Sequence, residues 1–166
     1  MKSSTSRKIQ KRKKPNDIFY TPIPLVKKHI EMIDNKSTDV WFDPFYGEGA
    51  YYENFPEGNH HWTEIVLKKD FFDFNTKIDI ICSNPPYSII DNILKKSIEL
   101  NPRIISYLIG VNNLTTRRIE IMEKAGYGLT RIHMTKIYKW FGMSFIVVFE
   151  KDKKGILEYD RTVWRV

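Results

Sequence analysis

The chain is poor in several features, and each scarcity excludes a class of protein. It has one cysteine in 166 residues, Cys82, so no intramolecular disulfide can form. Cys82 lies in an apolar run without an activating neighbour and reads as a buried structural thiol. No apolar stretch reaches the roughly 18 residues that a membrane span needs, and the polar N-terminus does not fit a signal peptide. The paired His60-His61 has no Cys or carboxylate at ligand spacing, which predicts no metal site. There is no internal repeat, no linker and no sign of a second domain. An intracellular, metal-free domain is what these absences leave, and a hydrophobic content of 42% is enough for one buried core.

Acidic charge is missing from residues 1–14. They hold Lys2, Arg7, Lys8, Lys11, Arg12, Lys13 and Lys14 and no Asp or Glu. The net charge of +7 therefore belongs to this segment, because the 20 basic residues that follow are matched by 20 acidic ones. Such a Ser/Lys/Arg-rich arm is expected to be disordered and to attract polyanions by counterion release. Lys11-Arg12-Lys13-Lys14 also fits a nuclear import signal, so a cytoplasmic or nuclear location is expected. Residues 15–166 form one domain.

Along that domain, apolar strands alternate with helical patterns. Leu25, Val26, His29, Ile30 and Ile33 share one helix face, with Thr21 as N-cap and Pro22 at the first helical position. Val40–Phe42 reads as a buried strand, and the turn Asp43-Pro44-Phe45-Tyr46-Gly47-Glu48-Gly49 leads into a short helix, Ala50–Phe55. His61–Leu67 is a second strand containing Glu64, and Ile78–Cys82 a third. A helix from Ile89 ends by Pro102, Ile104–Ile109 is a strand, and a helix runs from Thr116 to Ala125. Leu129–Tyr138 and Ser144–Glu150 read as an antiparallel hairpin at the sheet edge. This order predicts a doubly wound, mostly parallel α/β sheet with one reversed strand. Trp140, Phe141, Tyr159 and Trp164 fit core and hairpin packing better than a partner surface, and Arg117 and Arg118 fit a solvated helix face, with phosphate contact as the alternative.

The stretch richest in chemistry is Ser83-Asn84-Pro85-Pro86-Tyr87-Ser88. Two prolines cannot extend a strand, so the chain leaves the sheet here in a rigid turn. Asn84 and Tyr87 then stand at the carboxyl end of a strand, where open α/β sheets hold their ligands. An Asn side chain can donate and accept hydrogen bonds, and a Tyr ring can stack on a flat ligand. Asp43, with glycines close behind it, stands at the end of the first strand, Glu64 near the end of the second, and Asp70 at the start of the following loop. Four polar positions at one rim form a nucleoside-shaped site.

In these motifs the sequence resembles S-adenosylmethionine-dependent amino-methyltransferases, most of all the DNA adenine-N6 enzymes. Asp43–Gly49 is similar to the family's cofactor loop, Asn84-Pro85-Pro86-Tyr87 to its catalytic tetrapeptide, and Phe19-Tyr20-Thr21-Pro22 to the segment beside the cofactor's methionine end. The resemblance covers about residues 17–150. It implies a Rossmann-like class I methyltransferase fold, with S-adenosylmethionine as cofactor and Asn84, Pro85, Pro86 and Tyr87 as catalytic residues. It also implies that Tyr20, Thr21, Asp43, Phe45, Gly47 and Gly49 line the cofactor's methionine part. Glu64 would take the ribose hydroxyls and Asp70 the adenine amino group, with Phe71 beside the ring and Asn84 between cofactor and substrate. The interval from Gly49 to Asp70 is too short for a target-recognition domain, so a partner could supply recognition. DNA is the expected substrate, with the basic arm as an anchor. RNA (adenine-N6 or guanine-N2), a protein glutamine, or an idle cofactor-binding subunit are the alternatives.

Overall fold

Ile80–Ser83 forms a short strand, β3, buried on both faces in the middle of a six-stranded sheet. The computed structural model describes residues 20–137 and 142–158. The basic arm, Phe19, Trp140, Phe141, Tyr159 and Trp164 lie outside these residues. The other strands are β1 (Trp41–Asp43), β2 (His60–Trp62), β4 (Ile104–Gly110), β5 (Tyr127–Thr135) and β6 (Ser144–Lys151). Three helices, α1 (Ile23–Glu31), α2 (Ile90–Leu100) and α3 (Thr116–Lys124), flank the sheet. The strand order is β2-β1-β3-β4-β6-β5. The first four are parallel, and β6 runs antiparallel to both of its neighbours. This is the doubly wound, mostly parallel sheet with one reversed strand that the sequence predicts.

Alternation along the strands divides the core. Ile80, Cys82, Ile104 and Val148 face Val26 and Ile33 around α1, together with Tyr51 and Phe55. Ile81, Ile105, Tyr107, Val147 and Phe149 face the other way, toward α2 and α3. On α2, Ile90, Ile93, Leu94 and Ser97 repeat at helical spacing and are all buried. The three aliphatic side chains alone contribute roughly 5–9 kcal/mol of gross apolar stabilisation. Asn101, in the left-handed conformation at φ 55°, ends that helix.

Several expectations shift for local reasons. Helix α1 begins at Ile23 with Pro22 as N-cap, and Thr21 is buried and turned to Tyr51 instead of capping. The helix expected over Ala50–Phe55 is a single 3₁₀ turn, Tyr52–Asn54. Pro56 forces Phe55 into an extended conformation, ψ 150°, and stops it. Strand β2 ends at Trp62, because the Glu64 carboxylate accepts from the Val66 amide and turns the chain into a 3₁₀ helix, Ile65–Leu67. Those three apolar residues are exposed. The antiparallel hairpin does sit at the sheet edge, with β6 paired to β4 and β5 outermost.

One polar relay crosses the core on the α1 side. His29 Nδ1 lies 2.9 Å from the Tyr51 hydroxyl, and its Nε2 lies 2.7 Å from Ser106 Oγ. Ser106 spends its only hydrogen on the Val147 carbonyl at 3.0 Å, so it accepts from His29. The proton therefore sits on Nε2, Nδ1 accepts from Tyr51, and the Tyr51 oxygen takes a hydrogen bond from Thr21. Burial pushes the His29 pKa down to about 3, which keeps the ring neutral. Replacing Tyr51 by Phe strands Nδ1 in the core, and urea unfolding is expected to show a loss of about 1–3 kcal/mol. A loss below about 0.5 kcal/mol would mean that the ring nitrogen finds another donor.

Candidate active site

The carboxyl ends of β1, β3 and β4 and the turn after β2 meet at one rim of the sheet. Asp43 ends β1 and is fully buried. Its Oδ1 accepts from Ser83 Oγ at 2.6 Å and from the Phe45 amide at 3.2 Å. Its Oδ2 is buried without a hydrogen-bond partner among the described residues, although the Tyr52 amide also acts favourably on the carboxylate. Burial, with a smaller contribution from the charge of Glu64, raises the Asp43 pKa to about 7 against the pull of these hydrogen bonds. A half-satisfied carboxylate at a strand end is costly unless something else completes it.

The loop after Asp43 owes its path to two glycines. Gly47 and Gly49 have φ of 56° and 86°, a region that other residues enter at a cost. A Cβ on Gly49 would lie 2.7 Å from the Tyr46 hydroxyl, whereas Gly47 is exposed and its nearest neighbour is the Tyr20 ring. Tyr20, 49% exposed, stands beside the loop. Glu64 braces the same loop from the turn after β2: Oε2 accepts from the Gly47 amide at 2.9 Å and Oε1 from the Val66 amide at 3.2 Å. Thr63 Oγ1 donates to the Pro44 carbonyl at 2.8 Å and closes the turn from beneath.

Asp70 caps a further 3₁₀ turn by accepting from the Phe72 amide at 2.9 Å. Of the two phenylalanines after it, Phe72 is exposed and Phe71 is buried. Phe71 packs on Phe42 and edge-on against Phe45, with centroids 6.0 and 5.3 Å apart. It forms a floor under Phe45.

At the end of β3, Pro85 is buried and Pro86 starts the 3₁₀ turn Tyr87–Ile89 that runs into α2. Tyr87 donates to Asn84 Oδ1 over 3.4 Å, long for a hydroxyl hydrogen bond. Tyr87 also reaches the end of β4, where a Cβ on Gly110 would lie 3.4 Å from its ring. The fold thus brings Asp43, Glu64, Asp70 and the Asn84–Tyr87 turn to one rim. Ser83 and Gly110 join them without having been singled out in the sequence. A polar residue closing an apolar strand is the available signal for Ser83. Among the described residues no group of three His, Cys, Asp or Glu side chains could hold a metal ion.

No protein-family model matches the chain, and no curated protein does. Solved structures do. A 23S rRNA methyltransferase superposes with a TM-score of 0.68 at 12% identity, over 86% of this chain and 73% of that one. A magnesium protoporphyrin IX methyltransferase from Synechocystis PCC 6803, with S-adenosylmethionine bound, gives 0.62 at 12% identity over 78% and 77%. A complex from E. cuniculi that methylates a translation termination factor gives 0.61 at 15% identity over 81% and 99%. The chain has the class I, Rossmann-like methyltransferase fold.

Proposed function

We propose that the chain transfers a methyl group from S-adenosylmethionine to the exocyclic N6 amine of adenine in nucleic acid, with DNA as the first candidate. The observation that carries this reading is the 2.6 Å hydrogen bond from Ser83 to Asp43. It ties the loop after β1 to the residue directly before Asn84, so one contact sets both halves of a two-substrate site. When bound, S-adenosylmethionine supplies a methyl group already activated on a sulfonium. The residues present fit that cofactor, because the orphaned Oδ2 of Asp43 suits the ammonium of its amino-acid part. Tyr20, Thr21, Phe45, Gly47 and Gly49 would line the same end. Glu64 would face the ribose, and Asp70 the adenine, with Phe71 supporting the floor.

An adenine amine is a poor nucleophile because its lone pair is delocalised into the ring. The Asn84 side-chain oxygen and the Pro85 carbonyl would accept its two hydrogens and draw the nitrogen toward tetrahedral geometry. Two fixed dipoles then stabilise the positive charge that develops there, with no reorganisation at the moment of reaction. Pro85 and Pro86 hold those dipoles rigid. Tyr87 would stack on the base and fix its plane. Alignment of this kind contributes roughly 7–11 kcal/mol to a bimolecular step.

The similarity to a ribosomal RNA methyltransferase supports an RNA reading beside the DNA one. That to a complex acting on a termination factor supports a protein partner or a protein substrate. Labelled cofactor offered to duplex DNA, single-stranded DNA, structured RNA and a glutamine peptide separates them, with mass spectrometry identifying the methylated product. N6-methyladenine in DNA is the expected product. Transfer to none of them, with measurable cofactor binding, would replace this reading with a subunit that needs a partner.

The first fourteen residues are expected to anchor the polyanion. Deleting residues 1–14 removes seven cations. It should weaken nucleic-acid binding about tenfold and flatten its salt dependence, while cofactor affinity stays. Unchanged DNA and RNA affinity after deletion would show that the arm is no anchor.

A further inference from the structure

A cavity of about 410 Å³ opens beside the Asn84–Tyr87 turn, lined by Asp91, Asn112, Asn113, Thr115, Arg117 and Arg118. Its size is within the roughly 300–1,000 Å³ of ligand pockets. Three elements converge on it: the first turn of α2, the 3₁₀ turn Val111–Asn113 that follows β4, and the start of α3. Gly110, at the foot of that turn, is where the Tyr87 ring rests. The cavity therefore adjoins the ring proposed to stack on the target base.

Its charge is lopsided and partly fixed. Arg118, expected on a solvated helix face, is instead pinned: Nε donates to Asp91 Oδ1 at 2.6 Å, and Nη1 to the Asn113 carbonyl and side-chain oxygen at 2.8 and 3.1 Å. These bonds use three of the five guanidinium hydrogens, and the two on Nη2 have no partner among the described residues. Arg117 beside it is exposed and makes no hydrogen bond or ion pair among the described residues. The Asp91 carboxyl is held below the usual carboxylate range by the Arg118 hydrogen bond first, and then by the charges of Arg118, Arg117 and Lys95. Three cations thus surround one carboxylate, an excess of positive charge at the rim.

We propose that this cavity holds the backbone phosphate of a nucleotide flanking the methylated base. Arg117 is the direct phosphate contact and Arg118 the fixed second cation. The inference rests on the nucleic-acid reading and adds how the strand is held. Phosphate contacts set register and orientation without reading sequence. Here that kind of hold lies next to the turn that would receive the base.

The test uses the full chain with S-adenosylhomocysteine and labelled random-sequence 20-mers of single-stranded DNA and of RNA. Binding is measured by anisotropy across a salt series. Arg117→Gln is expected to weaken binding about three- to tenfold and to lower the log–log salt slope by about 0.7, the value for one phosphate on a single strand. Arg117→Lys should restore most of the slope, and Lys154→Gln, at the opposite end of the sheet, should leave it as in the parent. Loss on DNA alone or on RNA alone sustains the site and names its polymer. Methyl transfer to either polymer by the parent, with affinity and slope unchanged in a folded Arg117→Gln, overturns the phosphate site only. Transfer to neither polymer overturns the reading beneath it.

Discussion

Asn84→Ala is expected to lower methyl transfer about 10²- to 10³-fold while changing affinity for S-adenosylhomocysteine less than about threefold. The side chain stands at the mouth of β3, where the buried Pro85 and the turn after Pro86 fix its backbone. Its Oδ1 accepts from Tyr87 over 3.4 Å, a long bond for a hydroxyl. In the proposed mechanism, removing the amide deletes one of the two dipoles that would stabilise charge on nitrogen and leaves the loop after β1, which would hold the cofactor, untouched. Single-turnover transfer and calorimetric titration separate the two effects. If transfer and cofactor affinity fall in parallel, Asn84 acts in cofactor binding and the amine-acceptor role is wrong.

The second large effect is on pH. Asp43 must be ionised to meet a ligand ammonium, yet burial holds its pKa near 7 in the free protein. Below that value a bound cofactor has to displace the proton, so affinity should rise about tenfold per pH unit between pH 5 and 7. It should level above 7 and turn over near 8, where a free α-amine loses its own charge. Asp43→Asn should abolish the rise and bind at a weak, pH-independent level in that window. A parent profile that is flat from pH 5 to 7 would remove Asp43 from the cofactor contact.

The same substitution carries a stability signature. A carboxyl raised from 3.8 to about 7 favours the fold at low pH and loses that contribution as pH climbs through 7. His29, depressed from 6.5 to about 3, acts in the opposite sense: its contribution is complete above 6.5 and lost as pH falls toward 3. Between about pH 4 and 6.5 the slopes have opposite sign and similar size, so the parent's stability should be nearly flat there. Asp43→Asn uncovers the histidine slope, and unfolding free energy should fall by about 1.4 kcal/mol per unit of acidification.

What could be read from the sequence follows from how local each cause is. Ile78–Cys82 and Ile104–Ile109 are mostly apolar, broken only by Asp79 and Ser106, because their strands are covered on both faces, and the helix stripes repeat over a single turn. Asp43 and Asn84 were legible because a polar residue closing such a run marks the ligand side of the sheet. Which strand of the hairpin lies inside was not. Pairing of β5 with β6 is the same whichever of them takes β4 as its other neighbour, and only contacts about forty residues apart, such as Ser106 with Val148, decide. Ile65-Val66-Leu67 misled because the bend that exposes them comes from one carboxylate, Glu64, bonding across to Gly47. Ser83 and His29 each look like a lone polar residue, since their partners lie 40 and 77 positions away.

The inserted strand also has a bearing on how the molecule is made. Among the described residues β5 pairs with β6 alone, so while the chain is being synthesised it lacks that partner until Ser144–Lys151 emerges from the ribosome. Until then β4 presents an unpaired edge, Ile104–Ile109, apolar except for Ser106 and the Tyr107 hydroxyl. Such an edge is a template for aggregation. The nascent domain therefore depends on its last strand to close, and a chain stopped before Ser144 loses two strands of the sheet rather than one.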